Sequence, residues 1–112
     1  MNAPQHQNLA AGHWRDFSLM EQLANVGSEV ERALSWRSRQ AAYGQAAFER
    51  SLELLDLTLA DPKNVGRLKE VARAREVWVD FFSGANIYGS SEQSWHAYFW
   101  PFTYAARLKL TS

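Results

Sequence analysis

The 112-residue sequence contains no cysteine, and this absence excludes disulfides, thiolate zinc sites, iron–sulfur clusters and a cysteine nucleophile. It also lacks an excess of charge of either sign, because twelve Lys and Arg residues balance twelve Asp and Glu residues. A balanced charge argues against binding to nucleic acid, which usually requires a strong positive excess. The length corresponds to one globular domain, since domains typically contain about 100–150 residues.

Membrane and catalytic signals are missing as well. No uninterrupted apolar run approaches the roughly 20 residues that cross a bilayer, and the polar first residues lack the pattern of a signal peptide. We therefore expect a cytoplasmic protein with no membrane partner. The motifs of nucleotide-binding loops, zinc proteases and serine hydrolases are absent, as are the Glu-x-x-His pairs of di-metal bundles. These absences predict a protein that is not an enzyme and has neither a cofactor nor a metal site.

Helical spacing dominates the sequence that is present. Ser18 and Glu21 form the pattern of a capping box, and apolar residues then recur at spacings of three and four to about residue 39. Similar stripes run from 41 to about 60 and from 64 to about 83, and a fourth begins near Ser90. No alternating apolar run indicates a strand. The sequence predicts an all-α fold, an antiparallel four-helix bundle over residues 18–112 that follows a flexible N-terminal segment, residues 1–17.

Two residues that disfavour helices lie inside the predicted helices. Pro101 removes a backbone hydrogen bond from the fourth helix and clashes one turn back, so we expect either a kink near Ala97 or a short fifth helix that starts at Pro101. Gly27 lies beside the apolar stripe of the first helix and is less favourable there than Ala by about 1 kcal/mol. We expect a neighbouring helix to pack closely against Gly27.

Four stretches of the sequence resemble a known group of proteins. They are NVGSEVER at 25–32, LELLDLT at 52–58, RLKE at 67–70 with Arg75-Glu76, and Trp95, Tyr98, Phe99, Phe102 and 105–107. In these stretches the chain resembles a family of small bacterial and archaeal all-helical proteins with no assigned function. The resemblance implies a compact helical domain and no particular chemistry.

A second resemblance concerns only size and helix number, which are similar to those of the bundle domains of the HEPN group. Ribonucleases of that group carry an Arg followed a few residues later by His. Here His96 has no Arg among the ten residues before it. The similarity therefore implies an architectural analogy, and at most a nucleic-acid-associated module without catalytic residues.

Arg75 is the most unusual residue of the third helix. It lies at the centre of a stripe formed by Leu68, Val71, Ala72, Val79 and Phe82, and a buried guanidinium must be paired. Arg75 could line a pocket for an anion or a carboxylate ligand. It could instead form a structural ion pair, for which Glu29 is the first candidate, or extend to solvent at the edge of the bundle.

A candidate interaction patch combines the outer face of the fourth helix with a second apolar side of the third helix. Its members are Trp100, Tyr104, His96 and Arg107 on the fourth helix, and Phe81 and Val77 on the third. Aromatic residues and Arg are the usual anchors of protein interfaces, although aromatic faces beside Arg can also stack bases. Alternatively, Trp14 and Phe17 could fold over the patch and shield it.

The favoured hypothesis is a protein–protein interaction module that self-associates, most simply as a homodimer. An unidentified protein partner is a further option. Two alternatives remain open at this point. One is a bundle that binds a small anion or carboxylate through its aromatic walls and Arg75, and the other is the HEPN-like module without catalytic residues.

Overall fold

Four α-helices form the fold, and the computed structural model describes residues 12–111. A 3-10 turn at Trp14–Asp16 precedes α1 (Leu19–Trp36) and α2 (Ala41–Leu59), and a second 3-10 segment at Pro62–Arg67 leads into α3 (Leu68–Ser83) and α4 (Glu92–Thr111). No strand occurs among the described residues. The predicted all-α fold with four bundled helices is confirmed.

The start of α1 follows the sequence pattern. The Ser18 hydroxyl accepts from the backbone N–H of Glu21, whose carboxylate accepts from the backbone N–H of Ser18. The predicted capping box is confirmed, and it satisfies two of the N–H groups that the first helical turn leaves without partners. The hydrogen bond from the Ser18 backbone also lowers the pKa of the Glu21 carboxyl.

The 3-10 turn before α1 packs against the bundle. Trp14 is buried, and its indole N–H donates to the Thr58 hydroxyl at 3.1 Å. Trp14, which lies inside the segment 1–17, thus belongs to the core, and burying an indole with its N–H bonded is favourable. Residues 1–11 of the predicted flexible segment lie outside the described residues.

Pro101 lies inside one continuous helix. The predicted short fifth helix is wrong, since α4 runs from Glu92 to Thr111 without a break. Pro101 and Ala97, whose carbonyl loses its helical donor, are both on the exposed side of the helix. Water can therefore satisfy the freed carbonyl, which reduces the effect of the missing hydrogen bond.

The core is formed by apolar side chains from every helix. Those buried are Leu23, Val26, Val30, Ala33 and Leu34 of α1, Ala47, Phe48, Leu54 and Leu55 of α2, Val71, Ala74 and Trp78 of α3, and Trp95 and Phe99 of α4. The α1 backbone packs against α2 and α4, and α2 packs against α3. A β-carbon on Gly27 would lie 3.0 Å from the Phe99 Cβ, so the expected close packing at Gly27 is confirmed.

Candidate functional site

Arg75 bonds to a carboxylate on α2 rather than on α1. Its Nε donates to Asp56 Oδ1 at 2.8 Å and its Nη2 to Asp56 Oδ2 at 3.3 Å. The Arg75 side chain is 33% exposed and that of Asp56 is 59% exposed. The prediction that Glu29 is the partner is wrong, because Glu29 bonds to Arg32 at 3.0 Å and to Arg50 at 3.4 Å. The pair therefore lies at the surface of the bundle.

The rotation of α3 explains this difference. The predicted stripe had Arg75 at its centre, but the buried residues of α3 are Val71, Ala74 and Trp78. The buried side of α3 therefore lies between the predicted stripe, which contributes Val71, and the predicted second apolar side, whose Val77 and Phe81 are half-buried. Arg75 lies at the edge of the buried side, where its guanidinium reaches the surface.

The same rotation partly covers the two α3 residues of the predicted interaction patch. Phe81 is half-buried against Trp78, with the ring centroids 6.3 Å apart, and the Arg37 guanidinium carbon lies 4.9 Å from the centre of the Phe81 ring. Val77 is half-buried between α3 and α4. Both residues are thus partly covered by the bundle, and neither lines the groove that contains Trp100. Their place in one patch with α4 stays a prediction.

The α4 members of the patch do lie together. His96, Trp100 and Arg107 line a groove between α1 and α4, where the His96 ring bonds to the Glu31 carboxylate. Tyr104 packs beside Trp100 with the ring centroids 5.7 Å apart. Trp100 is 54% exposed and Tyr104 is 50% exposed, which is unusual for two large aromatic residues in contact.

The proposed shielding by the N-terminal segment does not occur among the described residues. Trp14 is in the core, next to Thr58. Phe17 lies farther along the groove, beside Thr103 and Arg107. Trp100 stays more than half exposed, so the described residues leave the aromatic surface of α4 uncovered.

A cleft between α3 and α4 was not expected from the sequence. The two helix backbones make few close contacts, and large rings bridge them, with Trp78 and Trp95 centroids 5.3 Å apart. Beside this contact is a cleft of about 310 Å³, lined mainly by Arg73, Ala74, Val77, Ser94, Trp95 and Tyr98. Its volume falls at the lower end of the range for small-molecule sites.

The charges at the cleft are partly neutralised. Glu70 lies at its edge and pairs with Arg67, with Nη2 and Oε1 2.6 Å apart. The Tyr98 hydroxyl donates to the other Glu70 oxygen at 3.3 Å. Burial, together with the charge of Glu70, raises the pKa of Tyr98 to about 12. Tyr98 thus remains a neutral donor, and Glu70 is already engaged.

Arg73 on the same rim has an aromatic neighbour. Its guanidinium carbon lies 4.7 Å from the centre of the Tyr88 ring, and it forms no ion pair within residues 12–109. The Tyr88 hydroxyl bonds to Glu76, which raises the pKa of Tyr88. Arg73 therefore supplies a positive charge at the mouth of the cleft.

Trp95 differs from the other buried indoles. The Trp14 N–H donates to Thr58 at 3.1 Å and the Trp78 N–H donates to Ser51 at 2.9 Å. The Trp95 side chain is only 5% exposed, yet its Nε1 has no hydrogen-bond partner among the described residues. Buried polar groups are almost always bonded, so Trp95, whose side chain lines the cleft, carries a buried donor that the described residues do not use.

A buried polar network near the start of α1 was also missed. Gln22 donates to the Trp14 carbonyl and to Asp61 Oδ2, both at 2.8 Å, and accepts from Asn64 at 2.8 Å. Burial works to raise the pKa of Asp61, but its hydrogen bonds from Lys63 and Gln22 outweigh this and lower it. The sequence did indicate a buried polar group here, because Gln22 lies among the apolar residues on the inner side of α1. The network attaches the Trp14 turn and the 3-10 segment to the bundle.

Comparisons of the chain with protein-family models, with curated proteins and with solved structures gave no match. Both resemblances seen in the sequence therefore stay predictions. Within residues 12–111, no three His, Asp or Glu side chains are grouped as a metal site would require. No helix in that part of the chain has the length and apolar character needed to cross a bilayer.

Proposed function

We propose that the chain is a protein–protein interaction module whose partner is a second copy of itself. The contact surface is the exposed side of α4, formed by Ala97, Trp100, Pro101 and Tyr104, which we call the outer stripe. The main observation that supports the proposal is the exposure of Trp100 and Tyr104, at 54% and 50%. Adjoining exposed aromatic residues are typical of interaction sites.

The composition of α4 supports this proposal. Its inner side contributes Trp95 and Phe99 to the core, while all four residues of the outer stripe are exposed. A helix that is apolar on two opposite sides usually has partners on both. The fourteen residues from 93 to 106 include no Asp, Glu, Lys or Arg, so a second apolar surface could cover this stretch without burying a formal charge.

A second copy fits this surface better than an unrelated partner because the outer stripe is symmetric along the helix. Its residues lie at equal distances on both sides of a point between Trp100 and Pro101. Two α4 helices packed antiparallel about a two-fold axis at this point would bring each stripe against its copy. Glu92 of one chain would then lie level with Lys109 of the other, and the helix dipoles would be antiparallel.

Sedimentation of the wild type and of Tyr104→Glu tests the proposal. The wild type should sediment at twice the chain mass of 12.8 kDa at micromolar concentration. Tyr104→Glu should sediment as a single chain, because a carboxylate in the interface would have to be buried without a partner.

Tyr43→Glu is the matched control, since Tyr43 is 57% exposed on α2 and also contacts a tryptophan, Trp36. This variant should remain dimeric. A wild type that is monomeric across the concentration range would refute the proposal, as would equal effects of the two substitutions on the dimer.

A further inference from the structure

The α3–α4 cleft has the features of a small-molecule site that is separate from the outer stripe. Its walls are Ala74 and Val77 on one side and Trp95 and Tyr98 on the other. Flat aromatic and aliphatic walls favour an aromatic or otherwise flat apolar group. The volume of about 310 Å³ limits this group to a molecule with one or two rings.

The polar groups around the cleft select the charge of the ligand. Glu70 is bonded to Arg67 and Tyr98, so the carboxylate at the edge is already compensated. Arg73 has a ring as its neighbour and no ion pair within residues 12–109. Ser94, in the first turn of α4, brings the positive end of the helix dipole to the same place. An anionic group is therefore favoured at the rim.

The Trp95 N–H is the second, independent observation. The two other buried indoles in the core each donate to a hydroxyl, whereas Trp95 Nε1 has no acceptor in the described part of the chain. A ligand oxygen that enters between α3 and α4 would supply one. Sites built around a few fixed polar groups in apolar walls are the common form of small-molecule pockets.

We propose that the α3–α4 cleft binds a small aromatic carboxylate, which packs its ring against Val77 and Tyr98. One carboxylate oxygen accepts from the Trp95 indole N–H, and the carboxylate as a whole is held by the charge of Arg73. Charge-assisted hydrogen bonds of this kind are the stronger ones in proteins. The site does not use the outer stripe, so it can exist in a single chain or in a dimer.

Titration of ¹⁵N-labelled protein with phenylacetate tests this site, with phenylacetamide as the uncharged probe of the same shape. The Trp95 indole resonance, identified by its loss in Trp95→Phe, should shift and saturate with phenylacetate. The amide should bind at least about tenfold more weakly, because it lacks the charge that meets Arg73.

Two matched variants distinguish the cleft from the rest of α3. Arg73→Gln should weaken phenylacetate binding about tenfold. Arg75→Gln, two residues along the same helix and bonded to Asp56 outside the cleft, should bind like the wild type. The variant Tyr104→Glu should also bind like the wild type, so a failure of the dimer proposal would not remove the ligand site.

Several results would overturn the inference. The Trp95 resonance could remain unchanged at millimolar phenylacetate, or the acid and the amide could bind equally well. Equal losses of affinity in Arg73→Gln and Arg75→Gln would also count against the site. A saturable shift confined to the exposed Trp100 would place the ligand on the outer stripe and refute the proposal for the cleft.

Discussion

The backbone of Arg37 lies against the α-carbon of Gly44, so that a β-carbon on Gly44 would be 2.9 Å from the Arg37 Cα. The same β-carbon would be 3.0 Å from the Arg37 nitrogen. Gly44 is thus a point of close approach between α2 and Arg37, the residue that follows α1. Because backbone atoms cannot rotate away as a side chain can, this contact fixes the turn between the two helices.

We expect Gly44→Ala to lower the free energy of unfolding by about 1–3 kcal/mol, the usual effect of overpacking. The sign of this change is informative, because helix propensity alone would make Ala more stable than Gly by about 1 kcal/mol. A loss of stability would therefore come from the close contact with Arg37. Urea denaturation measures the change. Gly66→Ala is the control, because nothing lies within 4 Å of a β-carbon there. A Gly44→Ala midpoint at or above that of the wild type would contradict the prediction.

The ion pair between Arg75 and Asp56 should contribute little to stability. Both side chains are at least one-third exposed, and exposed pairs are typically worth about 0.2–1 kcal/mol. We expect the coupling energy from Arg75→Ala, Asp56→Ala and the double variant to lie in this range and to fall as salt is added. Arg75→Ala also loses the packing of the Arg75 side-chain stem, which lowers the stability of the single variant. This loss is the same with and without Asp56, so it cancels in the coupling energy of the double-mutant cycle. A coupling energy well above this range, unchanged by salt, would contradict the prediction, because it would indicate that the ion pair is buried.

Asp61 should make the stability depend on pH. Its pKa is lowered in the folded chain by hydrogen bonds from Lys63 and Gln22 that outweigh the effect of burial. A carboxyl whose folded pKa lies below its unfolded value of about 3.9 stabilises the fold above that pH. This contribution is lost as the pH falls through the lower folded pKa.

We therefore expect Asp61→Asn to be less stable than the wild type by about 1.5–3 kcal/mol at pH 7, the usual worth of hydrogen bonds to a charged group. The difference should shrink below about pH 4. Urea denaturation of both proteins between pH 7 and pH 2 measures it. A difference that stays constant over this range would mean that the Asp61 charge does not stabilise the fold.

Local signals in the sequence predicted the local structure well. The Ser18–Glu21 capping box and the helical spacing each depend on a few residues that are close together in the sequence. Their physical causes are contained in the sequence pattern itself. The all-α fold could therefore be predicted without knowledge of how the helices pack.

The rotation of α3 could not be predicted in the same way. Arg75 and Trp78 lie on adjoining sides of a helix that has apolar residues on both, so the spacing does not decide which side is buried. The side that carries the large indole ring of Trp78 is the one that enters the core, where the indole N–H donates to Ser51 of α2. This choice depends on residues of another helix. The α3–α4 cleft depends on the separation of two helices, for which the sequence contained no signal.

Single cysteines on the outer stripe can test the orientation of the proposed dimer, because the chain has none of its own. Pro101→Cys and Ala97→Cys both replace exposed residues of α4. In an antiparallel pair centred between Trp100 and Pro101, the two copies of residue 101 are offset by one residue, or about 1.5 Å along the axis. The two copies of residue 97 are offset by seven residues, or about 10 Å.

We expect Pro101→Cys to form a disulfide-linked dimer on mild oxidation, whereas Ala97→Cys stays mainly unlinked. The reason is geometric, since bridged cysteines have α-carbons about 4.4–6.8 Å apart. Nonreducing gels with and without a reductant measure the linked fraction, and adding Tyr104→Glu to Pro101→Cys should abolish it by separating the chains. If both single cysteines link equally well, the helices pack parallel. If neither links while sedimentation still gives a dimer, the contact lies on another surface.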